Sequence, residues 1–248
     1  MTIDNFQLTM DNYLKLIEEA LVINGDSPLK EVMQYSLNAG GKRIRPILTL
    51  AFGGTPKIAA AIEILHTSTL IQDDLPCMDD DDERRGKPAC HKAFSEADAV
   101  LAASKMAYEA IIMLEDPRII KAVCNYMSAV YDGQKLDLSV GNDALGVPVK
   151  ADIVQIYERK TCALIQAACV AGVLSAKGSN SAIKNAAAYG YNLGMAFQLI
   201  DDILDNENSE NARAEAEKYT KEALALLENV PNNAFLVELT KNLLDRKN

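Results

Sequence analysis

Apolar residues recur at helical spacing along nearly the whole chain, and runs that alternate with period two are missing. Residues Met1 to Asn24 set Leu14, Ile17, Leu21 and Val22 on one face, with Lys15, Glu18 and Glu19 opposite, which predicts an amphipathic helix. Gly25-Asp26-Ser27-Pro28 then reads as a turn into a second helix, with Ser27 as N-cap and Pro28 at the first position. That helix carries Val32, Met33 and Tyr35 and stops at Gly40-Gly41. An apolar helical run through Ile62, Leu65, Leu70 and Ile71 comes next, followed by helices over Ala97 to Leu114 and from Asp116-Pro117 through Ile120, Val123 and Met127. Gly141 to Pro148 reads as a loop, and Asp152 caps the helix that follows it. Cys162 to Ala176 is apolar on every side but contains Gln166 and Ser175 and is short, which predicts a buried helix, not a membrane span. The tail forms two amphipathic helices, separated by Pro231-Asn232-Asn233.

Composition agrees with this picture. The 248 residues are 49% hydrophobic and only 6% aromatic, and they contain no Trp. A chain rich in Ala, Leu and Ile suits packed helices, and we expect one domain spanning residues 1–248. The formal charge of −10 argues against nucleic acid or an anionic membrane surface as a partner. The five cysteines, Cys77, Cys90, Cys124, Cys162 and Cys169, have no metal-like spacing, which predicts free thiols in a reducing, cytoplasmic setting. No signal peptide is apparent at the amino terminus, and no integral membrane association is expected.

The chemistry concentrates where two apolar helical runs end. Six acids fall between Asp73 and Asp82, and Arg84 and Arg85 follow at once. Oxygen ligands in that number suit magnesium, which shares its coordination shell readily with phosphate oxygens, and arginine forks hold phosphate. Far away in sequence, Asp201-Asp202-Ile203-Leu204-Asp205 ends another apolar stretch. At about 100° per residue, Asp201 and Asp205 share one helix face. Asp73 and Asp79 are too far apart for one regular turn; Pro76 between them predicts a break that lets Asp79 swing back beside Asp73.

These two motifs, with Gly40-Gly41-Lys42-Arg43-Ile44-Arg45-Pro46 upstream, resemble those of the trans-isoprenyl diphosphate synthases, the farnesyl and geranylgeranyl diphosphate synthases and their relatives. The likeness runs from about Leu37 to Asp205, with the motifs in the family's order. It implies an all-α fold, an antiparallel helical bundle around a deep central cavity, with the two acid clusters facing each other near the mouth. It also implies joining of an allylic diphosphate to isopentenyl diphosphate, a product of fifteen or twenty carbons, and a homodimer. By resemblance, magnesium is held by Asp73, Asp79, Asp201 and Asp205, with Asp74 and Asp202 as direct ligands or as groups that orient them. Lys42, Arg45, His66 and Arg85 hold isopentenyl diphosphate, Gln134 lines the cavity with Asp137, and Arg84, Lys160, Thr161 and Gln198 attend the allylic diphosphate. Ser68 and Thr69, about one turn before Asp73, lie on the cavity floor. Farnesyl enzymes of the family usually carry an aromatic residue at the first of these positions, so the small Ser68 implies a longer product.

The chain also departs from the pattern. Asp205 runs straight into Asn206-Glu207-Asn208-Ser209-Glu210-Asn211, where family members usually have a glycine-lysine stretch and a Lys-x-Thr-Tyr segment. The sequence is also short around Phe52 to Ala61 and Leu101 to Ala107. A second reading therefore stays open, a weakly active or regulatory subunit of a heteromeric prenyl diphosphate synthase. A terpene cyclase on the same scaffold rarely keeps the Gly-Gly-Lys site, and a plain magnesium-binding protein explains neither the arginines nor the paired clusters.

Overall fold

The computed structural model describes residues 3–142, 148–149, 152–204, 210–228, 230 and 233–244. Its main elements are helices α1 (Ile3–Ala20), α2 (Lys30–Leu37), α3 (Ile44–Ala51), α4 (Pro56–Asp73), α5 (Cys90–Ala93), α6 (Glu96–Leu114), α7 (Pro117–Asp137), α8 (Ile153–Ile156), α9 (Ala163–Ser175), α10 (Asn180–Leu204), α11 (Glu210–Leu226) and α12 (Ala234–Leu244). A π-helical turn, Tyr157–Cys162, joins α8 to α9 without a break. Strands β1 (Glu83–Arg84) and β2 (Lys87–Pro88) pair as a minimal antiparallel hairpin, as do β3 (Gly141–Asn142) and β4 (Pro148–Val149). The architecture is all-α, with short reversals between consecutive helices around a central hollow, as the sequence predicts.

Local chemistry accounts for several helix starts. The Thr55 hydroxyl accepts from the Ile58 amide with Pro56 at the first position, Ser95 accepts from Asp98, Asp116 accepts from Arg118 with Pro117 next, and Asp152 accepts from Val154. Each such cap stabilises a helix by roughly 1 kcal/mol. Ser27 departs from the expected N-cap. Its hydroxyl accepts from the Leu29 amide, Leu29 is the N-cap, and the helix begins at Lys30, because a turn closes first between the Ser27 carbonyl and the Lys30 amide.

Helices α4 and α9 are buried on nearly all sides, as expected of the centre of a helical bundle. They pack on α6, α7, α3 and α10, and the main core draws residues from α1 through α12. Close approach depends on glycine. A Cβ on Gly133 of α7 would stand 2.4 Å from the Lys160 backbone nitrogen, and one on Gly194 of α10 would stand 2.7 Å from Cys162 Sγ. These glycines let α7 and α10 clasp the π turn from two sides. Phe52 to Ala61 spans the turn at Gly53 and Gly54 and the start of α4, and Leu101 to Ala107 lies inside an unbroken α6. None of the described helices is long and apolar enough to cross a membrane.

Candidate active site

The site grows from the ends of α4 and α10, the π turn, and the turn before α3. Helix α4 stops at Asp73, and the chain loops through Pro76 until the Asp79 amide donates to the Asp73 carbonyl at 2.9 Å. The loop therefore returns Asp79 to Asp73, as the proline implied. Gln134 Nε2 donates to Asp79 Oδ1 at 3.4 Å, and Lys160 Nζ stands 4.0 Å from Asp79 Oδ2 while donating to Asp137. The Asp73 carboxyl is pushed up to about 6, chiefly by burial; Lys160 opposes the shift and Asp79 adds to it. A divalent cation relieves the repulsion between two such carboxylates.

The other acids of the first cluster face different partners. Asp74 is 2% exposed and accepts from Arg84 Nε at 2.8 Å and from Arg84 Nη2. Asp81 accepts from the same Nη2 at 2.9 Å. Asp74 thus anchors Arg84, which lines the cavity. In the second cluster Asp201 lines the cavity, whereas Asp202 is buried and accepts from the Tyr157 hydroxyl and from Gln198 Nε2 at 3.4 Å. Asp205 lies outside the described residues.

The basic wall comes from the Gly40-Gly41 turn, whose residues take φ of +81° and +126°. A Cβ at Gly41 would sit 2.5 Å from the Arg85 guanidinium carbon, so this glycine leaves room for Arg85, whose Nη1 donates to the Gly40 carbonyl. Arg45 Nη1 lies 3.1 Å from His66 Nε2. Since a guanidinium can only donate, Nε2 accepts and the ring proton of neutral His66 sits on Nδ1. Burial and the adjacent positive charges hold the His66 pKa well below its ordinary value. Arg45 Nε is buried without a hydrogen-bond partner, an orphan donor that suits an anion. Arg43 also borders the larger cavity, but its guanidinium is taken up by protein groups. It is 4% exposed, pairs with Glu63 and Glu18 at 2.8 Å each, and donates to the Leu37 carbonyl, so it locks the turn into the core.

Two adjoining cavities, of about 790 and 200 Å³, share Arg45, His66, Leu70 and Thr161 as walls. The larger takes in Lys42, Arg84, Arg85, Gln198 and Asp201, and the smaller takes in Asp73, Gln134, Lys160 and Thr69. Ile165, Leu193, Phe197 and Leu164 supply the apolar surface. Thr161 Oγ1 donates to Gln198 Oε1 at 3.0 Å and ties the π turn to α10. The structure thus brings Asp73 and Asp201 to one hollow from remote parts of the chain. Ser68 is fully buried, its hydroxyl donating to the Leu65 carbonyl; of the two floor positions, Thr69 lines the cavity. Sequence reasoning did not foresee Tyr157 as the Asp202 partner, or Glu63 as the counter-ion of Arg43. The one signal for Glu63 was an acid inside an apolar helical run.

Carboxylates facing arginines across an apolar hollow, inside a helical shell, are the build of an isoprenoid synthase. The chain belongs to the polyprenyl synthetase family, whose profile, described as Polyprenyl synthetase, matches residues 26–218. It is 37% identical over 225 residues to the farnesyl diphosphate synthase of Bacillus subtilis (strain 168), covering 82% of this chain and 74% of that one. It is 36% identical to the chloroplastic geranylgeranyl pyrophosphate synthase of Capsicum annuum, covering 77% of this chain and 57% of that one. The chain therefore spans between about half and three quarters of the length of these relatives. Among solved structures, a geranyltransferase from Legionella pneumophila superimposes with a TM-score of 0.84 at 32% identity, covering 98% of this chain and 99% of that one. An apo FPP/GFPP synthase from Zymomonas mobilis does so with 0.85 at 28%, covering 98% and 100%.

Proposed function

We propose that this protein is a prenyltransferase that condenses an allylic diphosphate (dimethylallyl, geranyl or farnesyl) with isopentenyl diphosphate to give a short all-trans prenyl diphosphate. The observation that carries the reading is the placement of Asp73 and Asp201 on adjoining cavities that share Arg45 and His66 as walls. The farnesyl and geranylgeranyl synthases among its relatives support a product of fifteen or twenty carbons.

Magnesium fits the donor set. Asp73, Asp79 and Asp201 offer hard carboxylate oxygens, and Asp205, four positions after Asp201 in the sequence, is a further acid of the second motif. When bound, the metal would act as a Lewis acid on the allylic diphosphate. Lys160 and Arg84 set fixed positive charge where the leaving diphosphate gathers negative charge. Lys42, Arg45 and Arg85 hold the diphosphate of isopentenyl diphosphate, and the Nδ1–H of His66 adds a neutral donor. Thr161 and Gln198, bonded to each other, orient the allylic partner. The apolar walls keep water from the cationic carbon.

An exposed apolar stripe on α6 supports a homodimer: Leu101, Tyr108 and Ile112 are 56%, 70% and 69% exposed and share one face at helical spacing. A second copy of α6 would cover it, and Tyr108→Lys is expected to convert the dimer to a monomer in size-exclusion chromatography with light scattering. The five free cysteines support a reducing, cytoplasmic compartment.

Incubation with labelled isopentenyl diphosphate and each allylic primer, followed by chain-length analysis, tests the activity. Turnover to fifteen- or twenty-carbon diphosphate supports it. The missing segment after Asp205 favours a second reading, a weakly active or regulatory subunit; negligible turnover alone, restored by a partner synthase, would replace the first reading with that one. For product length, Thr69→Phe, at the floor position that lines the cavity, is expected to shorten the product, and an unchanged profile would sink that assignment.

A further inference from the structure

The active site does not use all of the first acidic cluster. Asp73 lines the smaller cavity, Asp79 meets Gln134 and Lys160 of its wall, and Asp74 and Asp81 hold Arg84, which leaves Asp80 and Asp82. Both are exposed, and an oxygen of each lies with a ring nitrogen of His91 in a group whose atoms are all within 4.8 Å of one another. His91 is 7% exposed, yet neither Nδ1 nor Nε2 has a hydrogen-bond partner. A buried imidazole with both nitrogens unsatisfied is costly and rare, and this one opens toward two carboxylates without bonding to either. The three residues line none of the cavities described above.

We infer that Asp80, Asp82 and His91 form a second divalent-metal site, separate from the catalytic carboxylates and selective for a borderline transition metal such as zinc. Metal–nitrogen bonds of about 2.0–2.1 Å and metal–oxygen bonds of about 2.0–2.2 Å at tetrahedral angles put ligand atoms roughly 3.4 Å apart; the three atoms here already lie within 4.8 Å of one another, so a small movement of the exposed aspartate side chains would complete the set. Imidazole with two carboxylates favours zinc over magnesium or calcium, which prefer oxygen alone. The backbone already braces the site. Asp80 sits at φ +55° with its amide donating to the Leu75 carbonyl, and the Asp82 carbonyl accepts from Ala89. Lys92 Nζ stands 2.7 Å from Asp82 Oδ1; on a lysine half open to water, this ammonium can swing aside as a cation arrives. Filling the site would pin the loop carrying Asp79, one residue before Asp80, to α5.

The test uses the full chain, stripped with chelator and then saturated with magnesium and inorganic diphosphate to occupy the catalytic carboxylates. Zinc is titrated in by calorimetry. One stoichiometric site is expected in the wild type. Loss of even a supporting partner of a metal ligand costs 10–100-fold in affinity, so Asp80→Asn is expected to weaken zinc by at least about tenfold. Asp80 is exposed, and Asn tolerates the same backbone, so this variant should fold. His91→Gln should match it, with circular dichroism confirming the fold, while Asp201→Asn should leave the site intact. No zinc bound by the wild type, affinity unchanged in Asp80→Asn, or loss only in Asp201→Asn would each overturn the site. None of these readouts depends on prenyl transfer, so the site can fail while the proposed activity stands.

Discussion

The two acidic clusters end helices of similar character but divide their labour differently. The first leaves α4 as an irregular loop, so successive carboxylates point in different directions. Asp73 goes to the smaller cavity, Asp79 to Gln134 and Lys160, Asp74 and Asp81 to Arg84, and Asp80 and Asp82 toward His91. The second stays on a helix through Leu204, so side-chain directions are set by the 100° step. Asp201 faces the cavity and Asp202 turns inward to Tyr157. A loop lets a dense acidic run serve several partners, whereas a helix allows one outward face and makes the neighbouring acid structural. Adjacent aspartates therefore have unequal roles, and the inequality can be measured.

The largest effect should come from removing an outward carboxylate. Asp73→Asn or Asp201→Asn is expected to lower turnover by roughly a thousandfold, the scale of losing an electrostatic contact made chiefly in the transition state. Asp202→Asn should cost far less, since its contact with Tyr157 can be partly remade; equal losses for Asp201 and Asp202 in steady-state assays would erase the distinction. Arg84→Ala comes next. It strands the buried carboxylate of Asp74, and because Arg84 is itself partly open to water, the loss should be about 2 kcal/mol, below the full cost of breaking a buried pair. Urea unfolding of the metal-free protein reads this directly. Tyr157→Phe is the counterpart in the second cluster and should cost about 1.5 kcal/mol, the low end for a hydrogen bond to a charged group, because Gln198 still serves Asp202. If it matched Arg84→Ala, the helix would not be sparing its inner acid. The mildest effect on turnover should come from Gly41→Ala, whose Cβ must push the Arg85 guanidinium aside and whose backbone, at φ +126°, strains any L side chain. Raised KM for isopentenyl diphosphate with kcat nearly kept is expected, with a modest loss of stability, since a binding group and its turn move while the carboxylates stay in place.

Much of this was legible in the residues themselves. Apolar spacing foretold the helices, because a 3.6-residue period must bury one face. Asp116-Pro117 and Asp152 marked helix starts through chemistry that acts within one turn. The acid clusters, the arginines and Gly40-Gly41 announced a site, since so much charge beside apolar helices needs counter-charge. What the letters could not supply was the partner of each charged group. Arg43 and Arg45 are two positions apart, yet one is locked on Glu63 and Glu18 and the other faces the cavity with Nε unpaired. Asp202 and Asp201 are neighbours, yet only the approach of Tyr157 from the π turn separates them. His91 stands nine residues after Asp82 in the sequence, and packing alone buries it beside Asp80 and Asp82. Helix formation is set by neighbours along the chain; desolvation and charge pairing are set by groups that meet only when the chain has folded, and that is where the roles of these carboxylates were decided.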